Sequence, residues 1–376
     1  MRAIANRLLI LAPGLNGGGA ERQLLLVATG LMNRGWDVHI LTMVSGGQYW
    51  AELAESGRIK LHSLDRRGRW DFSIITESAR YVRRHQIGII QGWMQPCNTF
   101  AALCGRITRR NVVLGVRTIS RAVYGVGPRT YLRSEPVLAK WARATVICNS
   151  RAGLMEWLDL GLQAERLHHI PNGLLLPQRP LAPPFASSGP LRIGMLARLD
   201  PVKGHDMVLR ALGILKDQGL DFRFCNWGEG EPAAIERLRA RAGELGIADR
   251  AEFRSACESP WDALESMDVF VSASLAEGMS NSVMEAMAAG RVVVATDVGD
   301  ASLLLGPAES PSGVLFAPSE SALAGAIGAV ASDRDRAVAV AARAKQKAAR
   351  EFSVTAMVDA YASVYAGLAS SSSSRG

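Results

Sequence analysis

The sequence predicts two doubly wound α/β domains, each built on a parallel sheet. Its 376 residues exceed one ordinary hydrophobic core and suit two domains. Short apolar runs alternate with amphipathic stretches in both halves, as in βαβ folds. The segment 177–190, PQRPLAPPFASSGP, has five prolines and no periodicity, which is typical of a linker. We therefore expect domains over 1–178 and 190–352, with a ligand cleft between them at the carboxyl ends of the strands.

The first predicted domain begins with a buried strand and a tight loop. Leu8–Ala12 is apolar and is followed by glycines at 17–19, and a helix over Ala20–Arg34 is closed by Gly35. Asn149 and Ser150 are expected to cap a helix over 151–159. The other predicted strands are Val38–Val44, Ile87–Gln91, Val112–Val116 and Thr145–Cys148.

After the linker the same alternation begins again. The predicted strands are Leu191–Leu196, Asp221–Asn226, Val269–Ala273 and Val292–Ala295, and the predicted helices are Asp206–Gln218 and Glu231–Leu245. The remainder is expected to be largely helical to Leu368. Residues 369–376 are rich in serine and are predicted to be disordered.

Composition excludes several classes of protein. No apolar run approaches the roughly 20 residues of a membrane span. Five scattered cysteines, an odd number without paired spacing, argue against a disulfide framework or a zinc site. They favour a reducing compartment, so we expect a cytoplasmic protein.

Charge is distributed unevenly between the two halves. Residues 1–180 hold 24 Lys/Arg and 11 Asp/Glu, whereas residues 181–376 hold 19 and 24. A basic half can attract nucleic acid, anionic lipid or an anionic substrate. Nucleic acid is disfavoured because no binding motif is present, and an anionic membrane surface is the alternative that we favour over a solvated basic face without a partner. The basic clusters are Arg66–Arg69, Arg80–Arg84 and Arg106–Arg110, with aromatic residues at Trp70, Trp93, Tyr124 and Tyr131.

The strongest candidate site is the segment 277–290, EGMSNSVMEAMAAG, which follows a predicted strand. Ser280 and Asn281 suit a helix N-cap, and a helix N-terminus favours phosphate. Glu285, one turn into the helix, can accept two hydrogen bonds from a ribose diol. Glu277 lies in the preceding loop, where it can face a ligand bound at the helix start. The alternative is a capped helix with two surface glutamates.

The second candidate is GMLARLDPVKGHD, residues 194–206, which runs out of the end of a strand. Arg198 and Lys203 can together neutralise a pyrophosphate, as a planar fork and a point charge. A solvated basic loop is the alternative. His205 is interpreted as a helix-start residue rather than a catalyst.

Two glycine-rich loops give weaker signals. PGLNGGGAER (13–22) follows the first strand but fails the dinucleotide-binding pattern, because Arg22 stands at the last glycine position. In NWGEG (226–230), Gly228 lets the loop pass close to a nucleotide, although a plain turn explains it equally well.

In their order and spacing these segments resemble the family 4 glycosyltransferases, also called glycosyl transferases group 1, over nearly the whole chain. The E-x7-E run EGMSNSVMEAMAAG is the most specific part. The other matching segments are GGAER (Gly18–Arg22), RLDPVKG (Arg198–Gly204), GEG (Gly228–Gly230), CNSRAG (Cys148–Gly153) and IPNG (Ile170–Gly173).

The resemblance implies the GT-B fold, two Rossmann-like domains facing a central cleft. It implies retaining transfer of a hexose-type sugar from a UDP- or GDP-sugar to a glycan or lipid-linked acceptor, in cell-surface polysaccharide or lipopolysaccharide synthesis. It also implies that no cofactor and no metal are needed, because Arg198 and Lys203 stabilise the leaving diphosphate. Many relatives make lipid-linked products, which suits a protein at the inner face of the membrane.

The resemblance also assigns the remaining contacts. Glu285 is expected to bind ribose and Glu277 the donor sugar. The helix 353–368 is expected to cross back onto the first domain. Further donor contacts are expected from Gly278, Met279, Ser280 and Asn281, with Gly18 and Gly19 closing from the first domain.

One segment departs from the family pattern. Many relatives carry a histidine in the loop after a middle strand of the first domain, where this chain has GWMQPCN with Pro96 at that place. This departure affects the expected contact to the donor sugar, and two rival functions stay open. One is a GT-B epimerase or hydrolase acting on the same donor, and the other is a catalytically silent GT-B subunit. A GT-A transferase is disfavoured, because the D-x-D at 333–335 lies in a predicted helical stretch.

Overall fold

A computed structural model of the chain describes residues 6–66, 68, 71, 73–117, 129–257 and 259–373. The chain divides into two compact units. Unit 1 contains the residues up to Gly173 and those from Val354 onward, and unit 2 is Leu174–Ser353. Each unit has a parallel sheet with helices on both faces, so both have the doubly wound architecture that the sequence predicts.

The described part of unit 1 has a seven-stranded parallel sheet in the order β3-β2-β1-β4-β5-β6-β7. The strand order reverses between β1 and β4. The strands are β1 (Arg7–Ala12), β2 (Asp37–Thr42), β3 (Lys60–Ser63), β4 (Ile89–Trp93), β5 (Asn111–Val116), β6 (Thr145–Cys148) and β7 (Leu167–His169).

Helices cover both faces of this sheet. Up to Gly173 the helices of unit 1 are α1 (Gly19–Met32), α2 (Gln48–Ser56), α3 (Ser73–Arg84), α4 (Cys97–Thr108), α5 (Arg129–Ala142) and α6 (Arg151–Asp159). Residues of α3 to α6 pack with Leu9 and Leu11 on one face. Residues of α1 and α2 pack with Leu8 and Ile10 on the other, as the side-chain alternation of a strand buried on both faces requires.

The described part of unit 2 has a six-stranded parallel sheet in the order β10-β9-β8-β11-β12-β13. Its strand order reverses between β8 and β11. The strands are β8 (Leu191–Leu196), β9 (Phe222–Trp227), β10 (Ala251–Arg254), β11 (Val269–Ser272), β12 (Val292–Thr296) and β13 (Val314–Phe316). The helices are α7 (His205–Asp217), α8 (Pro232–Glu244), α9 (Pro260–Glu265), α10 (Asn281–Ala288), α11 (Ala301–Leu305), α12 (Glu320–Ser332) and α13 (Arg334–Glu351).

The last helix, α14 (Val354–Ser373), belongs to unit 1. Tyr361 and Tyr365 are fully buried beside α1 and the first strands. The helix runs to Ser373, whereas the sequence predicts disorder from residue 369. Once a helix is nucleated, each further Ala or Ser adds a hydrogen bond at small cost, and this explains the extension. Residues 374–376 lie outside the described residues.

The sequence analysis did not predict four short strands, namely β3, β7, β10 and β13. They are the outer strands of the two sheets. Their side chains are only partly buried, in patterns such as exposed–intermediate–exposed–intermediate for β3. Edge strands therefore lack the continuous apolar run by which central parallel strands are recognised. Within the described ranges, no helix is long and apolar enough to cross a membrane.

Candidate active site

The predicted donor residues of unit 2 lie in loops that leave the carboxyl ends of adjacent strands. Arg198 and Lys203 follow β8, Gly228 follows β9 and Glu277 follows β11. These loops surround the position where the strand order reverses between β8 and β11. Open α/β sheets bind their ligands at this position, so the sequence prediction and the topology indicate the same place.

The loop after β8 is held tightly against the chain that leaves β11. Gly204 has a left-handed backbone with φ 71°. A Cβ atom there would overlap the Ala273 carbonyl, so the residue that follows Lys203 must be glycine. The Leu275 amide donates to the Val202 carbonyl at 2.8 Å. This contact brings the Lys203 side chain toward the loop that carries Glu277.

Lys203 and Glu277 form an ion pair in this site. Lys203 Nζ lies 2.7 Å from Glu277 Oε2, and each side chain is 23% exposed. Arg198, on the same turn as Lys203, is exposed, and its side chain has no hydrogen bond or ion pair to any described residue. The site therefore has one cation paired with a carboxylate and one cation available to an anion.

The loop after β9 packs on the loop after β8. A side chain at Gly228 would overlap the Ala197 carbonyl, and the Leu199 amide donates to the Glu229 carbonyl at 2.8 Å. Gly228 thus fixes the backbone from which Arg198 projects. This close approach explains the glycine, and the nucleotide contact expected for Gly228 stays a prediction.

His205 supports the loop after β8 through a hydrogen bond to Asn226. It is the first residue of α7 and is buried, with Nε2 3.1 Å from Asn226 Oδ1. Asn226 Nδ2 in turn donates to the Ala197 carbonyl at 3.2 Å. Burial lowers the pKa of His205, which keeps the imidazole neutral. The interpretation of His205 as a helix-start residue is confirmed.

The E-x7-E segment forms the start of α10, as the sequence predicts. Ser280 is the N-cap, and its hydroxyl accepts from the Val283 amide at 3.5 Å. Asn281 is the first helical residue, and Met279 is buried. Glu285 is only 5% exposed. The alternative of two surface glutamates therefore fails for Glu285, because a carboxylate is buried only where polar contacts compensate it.

The backbone at Gly278 is also fixed. Its carbonyl accepts from the Asp300 amide at 3.1 Å, in the loop after β12. Four neighbouring loops of unit 2 therefore constrain one another. Among the described residues, no group of three His, Cys, Asp or Glu side chains is placed to hold a metal ion.

In unit 1 the glycine-rich loop leads directly into α1. Gly18 is the N-cap, with an extended backbone and no side-chain cap, and Gly19 is the first helical residue. The sequence analysis missed the role of Gln23, whose side-chain amide is buried. It donates to the Gly173 carbonyl at 2.8 Å and accepts from the Gly173 amide at 2.9 Å. The residue that follows GGAER is thus joined to the last residue of IPNG within unit 1.

Arg117 is a second residue that the sequence analysis missed. It follows β5 directly and is buried. Its guanidinium lies 3.9 Å from the centre of the Trp93 ring and donates to Asn172 Oδ1 at 2.8 Å and to the Tyr361 hydroxyl at 2.6 Å. Burial lowers its pKa. The sequence did carry one signal for this residue. Arg117 directly follows a predicted strand, as the other predicted site residues do.

Trp93 requires a correction. The sequence analysis groups it with the aromatic residues near the basic clusters, which are expected to contact a membrane. In the structure it is completely buried beneath Arg117. A tryptophan at the end of a central strand packs into the core rather than outward. Four other residues of that prediction, Arg67, Arg69, Trp70 and Tyr124, lie outside the described residues, as does the side chain of Tyr131.

The loop with the missing family histidine contains a buried amide–carboxyl contact. Pro96 is the N-cap of α4. Asn98 Nδ2 donates to Glu135 Oε1 at 2.7 Å and to the Gly115 carbonyl at 3.1 Å. Burial raises the pKa of Glu135. Pro96 thus precedes α4 where many relatives have the histidine, and the buried polar contact nearby is made by Asn98.

Comparison with known proteins gives two matching family models. The model for Glycosyltransferase Family 4 matches residues 17–175. The model for Glycosyl transferases group 1 matches residues 190–333. Together they cover most of both units, and they meet at the proline-rich segment 177–190.

Curated relatives match over part of their length. A lipopolysaccharide core biosynthesis mannosyltransferase, LpsB of Rhizobium meliloti (strain 1021), is 30% identical over 180 residues, which is 47% of this chain and 51% of the relative. A D-inositol 3-phosphate glycosyltransferase of Corynebacterium urealyticum is 34% identical over 168 residues, 42% of this chain and 39% of the relative. The chain thus matches about half the length of the first relative and less of the second.

Solved structures match the fold over nearly the whole chain. Anabaena Alr3699/HepE, crystallised with UDP-glucose, aligns with a TM-score of 0.81 at 21% identity, covering 96% of this chain and 99% of that one. A glycosyltransferase from Rickettsia africae aligns with a TM-score of 0.78 at 18% identity, covering 96% and 98%. Both are similar in fold, so the two doubly wound units have the GT-B fold. With both family models matched and this fold, the chain belongs to the family 4 glycosyltransferases, the glycosyl transferases group 1.

Proposed function

We propose that this protein is a retaining, metal-independent glycosyltransferase. Its donor is a hexose carried on UDP or GDP, and its acceptor is a glycan or a lipid-linked glycan of cell-surface polysaccharide or lipopolysaccharide synthesis. The mannosyltransferase relative and the UDP-glucose complex of the structural neighbour support this class of donor and product. We also place the protein in the cytoplasm, at the inner face of the membrane.

The observation that carries the proposal is the ion pair between Lys203 and Glu277 beside the free Arg198. Lys203 Nζ and Glu277 Oε2 are 2.7 Å apart, so an anion-binding group and a hydroxyl-binding group stand side by side. A donor bound across the pair would place its diphosphate toward the two cations and its sugar toward the carboxylate. The pair thus marks the two sides of the bond that breaks.

In this mechanism the chain's own charges stabilise the leaving group. Breaking the bond between the anomeric carbon and the diphosphate oxygen transfers the electron pair to that oxygen. The acceptor hydroxyl oxygen forms the new bond to the anomeric carbon on the same face, and its proton passes to the departing diphosphate. Arg198 and Lys203 face the developing negative charge, and fixed cations in a partly dry site are effective there. Glu277, released from Lys203 when the diphosphate binds, accepts hydrogen bonds from sugar hydroxyls. Glu285 and the start of α10, with Gly278–Asn281, hold the nucleotide part.

Two alternatives use the same site. An epimerase or hydrolase would consume the donor without an acceptor, and a silent subunit would leave it intact. An epimerase or hydrolase would need a water-activating acid or base, and the sequence offers no convincing histidine or carboxylate pair for it. The missing histidine at Pro96 supports only the silent subunit, and the intact Arg198, Lys203, Glu277 and Glu285 argue against that alternative.

The proposal is tested first by ligand-induced stabilisation. UDP, GDP and a set of their sugars are added to the purified chain and unfolding is followed by thermal shift. A ligand at about 100 times its dissociation constant stabilises the fold by about 2.7 kcal/mol. The true donor should therefore raise the unfolding temperature more than the other nucleotides and sugars do. Donor consumption is then measured with and without a mixture of lipid-linked glycan acceptors, in excess chelator. Acceptor-dependent turnover that survives chelation is expected. Equal consumption without acceptor, or a requirement for added Mg²⁺ or Mn²⁺, contradicts the proposal.

A further inference from the structure

The loops that follow β1 and β2 in unit 1 are fixed to each other by close backbone contacts. The Tyr49 amide donates to the Leu15 carbonyl at 3.1 Å. Gly47 has a left-handed backbone with φ 102°, and a Cβ atom there would overlap the same carbonyl. Glycine is therefore required at this position. The two loops have one packed arrangement at the carboxyl ends of their strands.

Three exposed side chains lie over the glycines of these loops. A Cβ atom added at Gly14 would lie 3.1 Å from a Val44 methyl group and 3.6 Å from Asn16 Nδ2, so the two side chains flank one glycine. A Cβ atom added at Gly17 would lie 2.6 Å from Gln48 Oε1. Val44 is 43% exposed, and neither amide group has a hydrogen bond to a described residue. We call Asn16, Val44 and Gln48 the β1–β2 patch.

The two loops carry no charged side chain. Residues 13–20, PGLNGGGA, and 43–51, MVSGGQYWA, contain no Lys, Arg, Asp or Glu. The residues that follow the first loop, Glu21 and Arg22, have opposite charges, and the Glu21 carboxylate lies against the backbone of Gly18. An anionic ligand at the β1–β2 patch would lose hydration without gaining a cation from either loop.

The charged side chains of the neighbouring loop make other contacts. Asp65, which follows β3, accepts from the Ser63 hydroxyl at 2.6 Å. The guanidinium of Arg66 lies 5.7 Å from the centre of the Phe100 ring on α4. This helix packs on the face of the sheet opposite to α1 and α2. The β1–β2 patch therefore offers a ligand two side-chain amides and one aliphatic side chain.

We propose that the β1–β2 patch binds an uncharged sugar, namely the residue of the glycan acceptor to which the new sugar is attached. This rests on the proposed function, because it names the chemical class of the acceptor, but it does not use the donor site of unit 2. Sugar hydroxyls donate and accept hydrogen bonds, and a side-chain amide offers both a donor and an acceptor. The C–H groups of a sugar ring gain from contact with an aliphatic side chain such as Val44. A lipid-linked glycan fits equally, provided that its receiving sugar has no carboxylate or phosphate.

The test is saturation-transfer difference NMR on the full chain with matched sets of small glycosides. Each set contains the methyl glycoside of glucose, galactose or mannose, the same sugar oxidised to the uronic acid, and its 6-phosphate. Saturation transfer is expected to at least one neutral glycoside and to neither of its charged counterparts. Asn16→Ala or Gln48→Ala should weaken that binding by about three- to tenfold, because each removes a neutral hydrogen-bonding group. Val44→Ser should weaken it severalfold through the lost apolar contact.

A cation introduced at the patch should change the selectivity. Gln48→Lys is expected to give the uronic acid or the 6-phosphate a signal that it lacks with the parent chain, because the lysine supplies a charge-assisted contact. Gln163→Lys and Gln163→Ala are the matched controls, at an exposed glutamine that lies before the amino end of β7. Val338→Ser, at a valine of unit 2 that is 39% exposed, is the control for Val44→Ser. All three controls should behave like the parent chain.

Three results overturn the proposal. They are equal signals from a neutral glycoside and its charged counterparts, no signal from any neutral glycoside, and an unchanged signal when Asn16→Ala is combined with Gln48→Ala. Thermal shift with nucleotide sugars on the same samples reports separately on the donor site. A chain stabilised by a nucleotide sugar but without patch binding keeps the enzymatic proposal and loses this one. A chain that binds a neutral glycoside but no nucleotide sugar contradicts the enzymatic proposal instead.

Discussion

In both units the strand order reverses within the sheet, but the charged side chains at the carboxyl ends of the strands differ in their exposure to solvent. In unit 2, Lys203 and Glu277 form a pair that is partly open to solvent, and Arg198 beside them is exposed. In unit 1, Arg117 is buried against Trp93 and Tyr361, and no described carboxylate pairs with it. Residues 118–128, which follow it, contain no Asp or Glu. The comparison teaches that the same edge can present charge to a ligand or enclose it within the fold.

The largest expected effect concerns the cations of unit 2. Arg198→Ala or Lys203→Ala should reduce turnover by about 10²–10³, because a contact that stabilises charge in the transition state is worth about 2.7–4 kcal/mol. Steady-state kinetics with the donor found by thermal shift provides the measurement. Arg210→Ala, which removes an exposed cation of α7 paired with Asp206, is the control and should be nearly neutral. Full activity in either site variant would remove that residue from the mechanism.

A smaller effect separates the two glutamates of the E-x7-E segment. Glu285→Gln should weaken donor binding by about ten- to a hundredfold, because hydrogen bonds to charged groups contribute about 1.5–3 kcal/mol in ground and transition states alike. Glu277→Gln should instead lower turnover, since it is expected to touch the reacting sugar. The Glu277→Gln substitution also releases Lys203 from its ion pair. Equal increases in KM with turnover intact in both variants would show the assignment to be wrong.

Most of the fold was predictable from the sequence, for a physical reason. Central parallel strands are buried on both faces, so Leu191–Leu196 and Thr145–Cys148 are mostly apolar segments whose predicted bounds are those of the structure. Outer strands such as Lys60–Ser63 are exposed on one side and carry no such run. The capped start of α6 at Ser150 was predictable because a capping hydroxyl acts within three residues.

The donor site was predictable only as a set of residues. The motifs indicated which side chains of unit 2 belong together, but not that Lys203 and Glu277, 74 positions apart, form an ion pair. Pairing across such a separation depends on the register of β8 and β11 and on the close approach at Gly204. The burial of Arg117 was missed for the same reason, because α14 supplies one of its contacts from the far end of the chain.

Arg117 offers a test of the enclosed charge in unit 1. Burying a guanidinium without a carboxylate is unfavourable, and the observed geometry offsets this through stacking on Trp93 and two hydrogen bonds. A lysine at this position would keep the charge but lose the planar stacking and the divergent donors. A methionine would lose both hydrogen bonds but would also remove the charge and its desolvation.

We therefore expect Arg117→Lys to be less stable than Arg117→Met. The lysine variant should lose about 2 kcal/mol, the sum of a stacking contact and one hydrogen bond, and the methionine variant less. Thermal unfolding of both measures the order, with the exposed Arg109→Lys as a control expected within about 0.5 kcal/mol of the parent chain. The opposite order would mean that the positive charge itself is needed in unit 1. The contacts of the guanidinium with Trp93, Asn172 and Tyr361 would then outweigh the desolvation of its charge.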